Sequence, residues 1–575
     1  MRRVSAALTA LVCTVMAGGC AVVPDGGRMT SATIAAKGGQ QNVFVQLIPP
    51  PPQPGWSPDL IVSGFLLASA SFAGDHVIAR KYLTPKAARS WHPGSSVTEF
   101  ADTPTPTTTA VRQNMVTFQV KGKKLGTISA NGQFKAAEPG TSPVGGSFKV
   151  IRVAGKWRIA SAPHQLLLSR RDVDRAFRAR DLYFFDPSIS VLVPDPVYVP
   201  AESTSADLVT HLVAALWQGP QGWLAGGTRT AFPPGTRVLG TSVDGSTAIV
   251  NLGGRAAMAG PQQREQMATQ LLQTLASVGP APSVQSVVFE INGKPLRVSC
   301  ATGEPPALRL SQCQGPVQPR SGSRVYYIDG KGRVATLSGF RSDTPVRGAA
   351  GTGELPFDQI AVSPDERSVA GVSGGVLYTG RLDGSLSQRL TASRLTTLSW
   401  DSAGGLWVAG RSGNRTRVWR LDRGMRPIDV RLPQMPGPVT AMRVAPDGVR
   451  VAIITGSGAA SRLWLAAIDQ SRAALGEPVP IGTDISAFSG LTWYDIGNVI
   501  VLSKPASGPV LYEVPVDGRQ SRQIATDAGA VSISATQGGK LLVTRDDGTI
   551  MQLPNPAGSI WRPAGARGRS PVYPG

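Results

Sequence analysis

The stretch IAVSPDERSVAGV at residues 360–372 reads as an apolar strand, a tight polar turn and a second apolar strand, and the same pattern returns four more times downstream. The later copies are LSWDSAGGLWVAG (398–410), RVAPDGVRVAII (443–454), LTWYDIGNVIVL (491–502) and SISATQGGKLLV (532–543). Aligning Val362, Trp400, Val444, Trp493 and Ile533 gives spacings of 38, 44, 49 and 40 residues. Third strands follow with related tails: LYTGRLDG, VWRLDRG, LWLAAIDQ and LYEVPVDG. A several-stranded unit recurring every ~40 to 45 residues, none able to bury both faces alone, predicts an all-β propeller. Five full blades are visible. Upstream, VYYIDGKGRVATL (325–337) supplies two outer strands that would complete the ring by pairing with the last blade, so five or six blades are expected over residues 320–565.

The 575-residue chain is too long for one core and calls for three or four domains. Working outward from the propeller, residues 181–299 carry an α+β pattern. LYFFD and VLVPDPVYVP read as strands. A helix capped by Ser203, Thr204 or Ser205 presents Leu208, Val209, Leu212, Val213, Leu216 and Trp217 before Gly219-Pro220 stops it. Two strands then turn at Asp244-Gly245, a helix from Pro261 presents Met267, Leu271, Leu272 and Leu275, and a hairpin closes at Asn292-Gly293. Before it, SRRDVDRAFRAR (169–180) places Arg170, Arg171, Arg175, Arg178 and Arg180 on a short linking helix, solvated or offered to an acidic partner. Residues 56–168 open with Ser57-Pro58 as cap and first helical position. Leu60, Ile61, Phe65, Leu66 and Phe72 give the helix an apolar face, and a second helix turns Val77, Ile78, Tyr82 and Leu83 inward. Alternating strands follow in VTFQVKGK, KLGTISANGQF and GSFKVIRVAGKWRIA, the last turning at Gly155-Lys156.

Arg2 and Arg3 precede an uncharged, mostly apolar stretch, Val4–Ala17, which is shorter than the ~20 residues a membrane-spanning helix needs. The run Ala17-Gly18-Gly19-Cys20 resembles the lipobox of bacterial lipoproteins, with alanine where leucine is usual. That resemblance implies a signal peptide at 1–19 and Cys20 as the new N-terminus carrying N-palmitoyl and S-diacylglycerol groups. Residues 20–55 read as a Pro-rich tether stiffened by Pro49–Pro52. With Cys13 removed and Cys20 acylated, Cys300 and Cys313 remain, and an oxidising compartment favours their disulfide. Closing that loop is worth about 3 kcal/mol in the chain-entropy model. A free thiol pair or half a metal site is the other reading, and the lack of any histidine after His211 argues against zinc.

The net charge of +21 fits anionic lipid headgroups and phosphate-bearing wall polymers as counterions; export removes nucleic acid as a partner. Chemistry is sparse. The four histidines, His76, His92, His164 and His211, show no helical spacing, and no metal or cofactor motif is present. Gly371-Val372-Ser373-Gly374-Gly375 matches G-x-S-x-G by letters only, since it lies between two propeller strands and reads as a hairpin turn. Trp400, Trp407, Trp419, Trp464 and Trp493 recur at equivalent strand positions and read as blade core, with sugar stacking as the rival reading. No catalytic residue is assigned, and the ligand-binding residues stay open.

Helices followed by a curved antiparallel sheet make residues 56–168 resemble nuclear-transport-factor-2-like (NTF2-like) domains. Residues 181–299 resemble the GerMN domain through Val199-Pro200, Leu216-Trp217-Gln218-Gly219-Pro220, Phe232-Pro233-Pro234-Gly235-Thr236 and Val243-Asp244-Gly245, with Asn251 where an acidic residue is expected. Lipobox, two α+β domains and a terminal propeller, in that order, resemble the actinobacterial LpqB lipoprotein family. The resemblance implies a non-enzymatic accessory of the MtrA–MtrB two-component system at the outer face of the cell membrane, touching the extracellular domain of the sensor kinase MtrB. A wall-glycan or lipid-binding module, with exposed Trp and Tyr in a groove, and an envelope hydrolase, with carboxylates converging in the propeller channel, are the alternatives.

Overall fold

The computed structural model describes residues 49–137, 144–276, 284–309, 311–313, 324–338, 341–413, 415–536, 539–554 and 560–575. Gln46–Gly575 forms one compact unit. Cys20 and most of the expected tether lie outside the described residues. The tether's end, expected to be a free spacer to residue 55, is bound instead. Pro49 is buried, the Tyr82 hydroxyl donates to the Pro50 carbonyl at 2.8 Å, and the Trp56 ring lies 6.3 Å from that of Tyr82.

Proline at its first turn starts the helix Pro58–Ala68, which buries Ile61, Val62, Phe65 and Leu66. Leu60, expected on that face, is half exposed, while Ile61, Val62, Phe65 and Leu66 are the residues the helix buries. The second helix is only Val77–Arg80, since three successive left-handed residues, Gly74, Asp75 and His76, set its start. Val77 is exposed as a result, while Leu83 is buried and bridges to Ile159. Two four-stranded sheets follow. One is ordered Phe134–Ala136, Lys124–Ser129, Ser96–Phe100, Leu166–Ser169, and the other Thr105–Arg112, Met115–Lys121, Val144–Val153, Lys156–Ser161. Phe65, Tyr82, Trp91, Phe100, Phe118 and Phe148 fill the core between helix and sheets.

The arginine-rich stretch is helical only over Arg170–Ala176, capped by Ser169. Arg178 and Arg180 belong to the strand Phe177–Phe185, not to a linking helix: burying Phe177, Leu182 and Phe184 against Leu192–Pro200 outweighs the helical reading of the charges. In the middle domain Thr204 and Asp207 form a reciprocal capping box for Ser205–Gln218, and Gly219 ends that helix at φ 87°. Strand Thr236–Asp244 pairs antiparallel with Thr247–Gly254, which pairs parallel with Ser286–Ile291 after the crossover helix Pro261–Ala276. Cys300 and Cys313 are joined by a disulfide with Cα atoms 5.1 Å apart.

Among the described residues, six antiparallel sheets make the β-propeller-like C-terminal region. Four of the five recurrent polar turns are tied by an aspartate, as where Asp401 accepts the Gly405 N–H, the Trp407 indole N–H and the Arg420 Nε–H at 2.7, 3.0 and 2.9 Å; the last turn has no aspartate, and there Thr536 Oγ1 accepts the Lys540 N–H at 3.1 Å. Neighbouring inner strands are stitched by Thr397 Oγ1 donating to the Met442 carbonyl and by Trp493 Nε1 donating to the Arg443 carbonyl. The ring closes differently from expectation. Val325–Ile328 and Val334–Ser338 do not join the last sheet; they form a sheet of their own with Arg341–Pro345, and its inner strand is Arg569–Val572 from the far end of the chain. Strand structure thus continues past residue 565. Trp400, Trp407, Trp419 and Trp493 are buried between sheets and Trp464 partly so.

Candidate functional site: the cleft between the first and middle domains

A cleft of about 780 Å³ opens where the turn 72–76 and strand Lys124–Ser129 of the first domain face the helix Ser205–Gln218 of the middle domain. Its size is in the range of small-molecule sites. His76, His92, Asn131, Glu202, Asp207 and His211 bring polar groups to its walls, and Phe72, Phe177 and Tyr198 bring rings.

The turn that carries His76 is fixed from below by Arg80. Its guanidinium donates to the Asp75 carbonyl at 2.8 Å, pairs with the Asp75 carboxylate at 2.6 Å, donates to the carbonyls of Ala88 and Trp91, and lies 5.4 Å from the Trp91 ring. The His76 imidazole packs between Phe72 (4.6 Å) and Trp91 (5.6 Å). Burial there holds its pKa below the ordinary histidine value, so the ring is neutral at pH 7. His92 contributes Nδ1 against the Ser90 carbonyl at 2.8 Å, and its backbone N–H donates to His164 Nδ1 at 3.3 Å. His211 sits one helical turn after Asp207, whose backbone carbonyl faces His211 Nδ1 at 2.7 Å. The Thr204 hydroxyl and backbone N–H hold the Asp207 carboxyl below its ordinary pKa. Buried atoms His76 Nδ1 and Glu202 Oε2 have no hydrogen-bond partner.

This set offers neutral and anionic acceptors beside aromatic faces, which suits hydrogen bonding to a polar ligand. Among the described residues no group of three His, Cys, Asp or Glu is placed to hold a metal ion. Three of the four histidines thus share one wall system, which the sequence did not disclose because residues 76, 92 and 211 have no common period.

Gly132 fastens one end of the cleft. The Tyr198 N–H donates to its carbonyl at 2.7 Å, its φ is +81°, and a Cβ there would lie 2.4 Å from the Tyr198 carbonyl oxygen. Gly132→Ala is expected to cost about 1–3 kcal/mol and to loosen this junction. Hydrogen exchange should show the Tyr198 amide losing protection while amides in the helix Pro261–Ala276 keep theirs; unchanged protection at Tyr198 would refute the assignment.

The other sequence-derived candidates fall elsewhere. The propeller channel narrows to a cavity of about 70 Å³ whose lining contains Ser399, Trp400, Arg443, Trp493 and Tyr573 and no Asp or Glu. Carboxylates of the kind a hydrolase needs do not converge there. Arg443 donates to Thr397 Oγ1 and the Leu398 carbonyl, and desolvation pulls its guanidinium down to about 10. Gly374 and Gly375 form the turn between Ser368–Ser373 and Val376–Arg381, with φ 58° and 79°. Asn251 accepts the Gly293 N–H at 3.0 Å, a structural tie from strand Thr247–Gly254 to the turn that follows its parallel neighbour Ser286–Ile291.

Family models match three successive segments: "Lipoprotein LpqB, N-terminal domain" over residues 51–174, "Sporulation and spore germination" over 181–297 and "Lipoprotein LpqB beta-propeller domain" over 332–574. The lipoprotein LpqB of Thermobifida fusca is 31% identical, covering 100% of this chain and 99% of its own. That of Streptomyces coelicolor is 30% identical over 98% and 96%. A solved structure, the putative TolB of Agrobacterium tumefaciens, is similar at a TM-score of 0.33 and 15% identity over 44% of this chain and 92% of its own.

Proposed function

The chain belongs to the LpqB lipoprotein family, and from that premise we propose that it is an extracytoplasmic lipoprotein, anchored to the cell membrane through Cys20, whose folded body regulates an MtrB-like sensor kinase in cell-envelope homeostasis and development. The observation that carries this reading is the full-length match to curated lipoproteins, with all three domain models in the same order. We read the body as non-catalytic, the first domain as NTF2-like and each of the six sheets as one blade. Support for a recognition role comes from the packing of the domains on one another: Val193 and Leu224 of the middle domain share a core with Val449 and Ala467 of the propeller, and Phe134 of the first domain lies against Gly518. Such packing presents composite surfaces in a fixed relation.

Crosslinking in native membranes, followed by kinase assays with and without the protein, tests the proposal. The kinase's extracellular domain is expected among the captured products, and its autophosphorylation is expected to change. Cys20→Ala should release the chain to the soluble fraction once the membranes are washed at high salt, and should reduce capture. Failure to capture the kinase from membranes that retain the lipidated protein would sink the regulatory role.

A second reading, capture of a wall glycan or lipid, draws on the cleft: its volume and its mixture of rings and unpartnered acceptors fit a polar ligand.

A further inference from the structure

The first domain carries a feature that neither the cleft nor the kinase reading uses. Strands Thr105–Arg112 and Met115–Lys121 form one hairpin, Val144–Val153 and Lys156–Ser161 another, and they are neighbours in one sheet. The register aligns Arg112 with Met115, Met115 with Ile151, and Ile151 with Arg158, so both tips stand at the same end. The Arg152 N–H donates to the Asn114 carbonyl at 3.1 Å and ties one tip to the other.

Hairpin tips open to water ordinarily carry polar turn residues. Here Val111 is 72% exposed and Val153 is 41% exposed. Around them Arg112, Arg152 and Lys156 are exposed, and neither hairpin contains an Asp or Glu. Exposed apolar side chains ringed by cations without anions match the interfacial zone of an anionic bilayer, where methyl groups sit among acyl chains and cations meet headgroup phosphates.

The point where the tether joins the body lies beside this sheet. Pro50 accepts from Tyr82, and the Tyr82 carbonyl accepts the Ile159 N–H at 2.9 Å, next to Arg158 in the edge strand that carries the second tip. A chain arriving from the lipid therefore reaches the body close to the same strand.

We propose that the paired hairpin tips, through Val111, Val153, Arg112, Arg152 and Lys156, make a second, non-covalent contact with an anionic membrane surface and so orient the body on it. The contact is independent of acylation. It is tested on the mature chain from residue 20 with Cys20→Ala, by co-sedimentation with vesicles of phosphatidylcholine alone or with phosphatidylglycerol at about a third of the lipid.

Binding is expected only with phosphatidylglycerol and should fall as salt is raised. Arg112→Ser/Arg152→Ser/Lys156→Ser should weaken it roughly a hundredfold. Arg394→Ser/Arg415→Ser/Arg562→Ser, which removes equal charge from exposed propeller positions, should leave it nearly intact. Val111→Asp/Val153→Asp should also abolish binding, and circular dichroism should show all variants folded. Equal losses in both arginine variants would mean that overall charge drives adsorption, and undiminished binding of the valine variant would mean a contact with any polyanion; either result, or no binding to phosphatidylglycerol, overturns the proposal.

Discussion

Arg450→Met is expected to destabilise the propeller by about 3–5 kcal/mol, because it strands a carboxylate that has no access to water. Arg450 and Asp447 are both wholly buried and paired at 2.7 Å through Nε and Oδ2. The guanidinium also donates to the Ile496 carbonyl of the next sheet at 2.6 Å and lies 5.3 Å from the Trp493 ring. Without it Asp447 retains only the backbone N–H groups of Val449 and Arg450. Methionine keeps most of the volume, so the loss is one of charge compensation rather than of packing. A fall in the propeller's melting temperature on the order of 10 °C is expected by calorimetry. Adding Asp447→Asn should return much of it. If the single variant melts within a degree or two of the parent, or the double variant is no better than the single, the pair does not act this way.

Asp195 makes a prediction of opposite sign. It lies in strand Leu192–Pro200 of the middle domain, fully buried; one carboxylate oxygen accepts the Gln221 N–H at 2.8 Å and the other has no partner. Burial pushes its carboxyl up to about 7, against the ordinary 3.8. Because the folded value is the higher one, the folded state keeps a proton that the unfolded chain gives up. Stability is therefore unaffected below about pH 4, declines as pH rises from 4 to 7, and is lowered in full above 7. A three-unit difference corresponds to roughly 4 kcal/mol. Asp195→Asn abolishes that dependence and should stabilise the protein by about 2 to 3 kcal/mol at pH 8, less than the full amount because amide N–H groups replace an unpartnered oxygen. Urea unfolding at pH 5 and pH 8 decides it: the gap between variant and parent must widen with pH, and a constant gap would show that Asp195 is not the titrating group.

The parts of this fold that could be read from sequence are those with strong local signals. A recurring strand–turn–strand unit needs neighbours to bury its faces, so its period announces the propeller. The run Ser203, Thr204, Ser205 announces a helix start, of which Thr204 is the cap, and Gly219-Pro220 announces its end. Where tertiary packing overrides local signals the reading failed. Arg178 and Arg180 look helical among their charged neighbours, yet Phe177, Leu182 and Phe184 draw them into a strand. The truncation of the helix at Val77–Arg80 depends on left-handed Asp75 and His76, conformations that non-glycine residues do not advertise. The cleft was invisible for a related reason: its walls come from segments more than a hundred residues apart. Cys300 and Cys313 were legible because exclusion of the other cysteines left one pair.

Ring closure by Arg569–Val572 carries a consequence for biogenesis. During synthesis the N-terminal portion emerges first, so Val325–Ile328 must wait, its hydrogen-bonding rim bare, until nearly two hundred and fifty later residues have followed. An apolar strand left without its neighbour invites mispairing with other chains. The ring behaves as a clasp fastened last, and a holding factor or fast folding would protect the interval before it snaps shut.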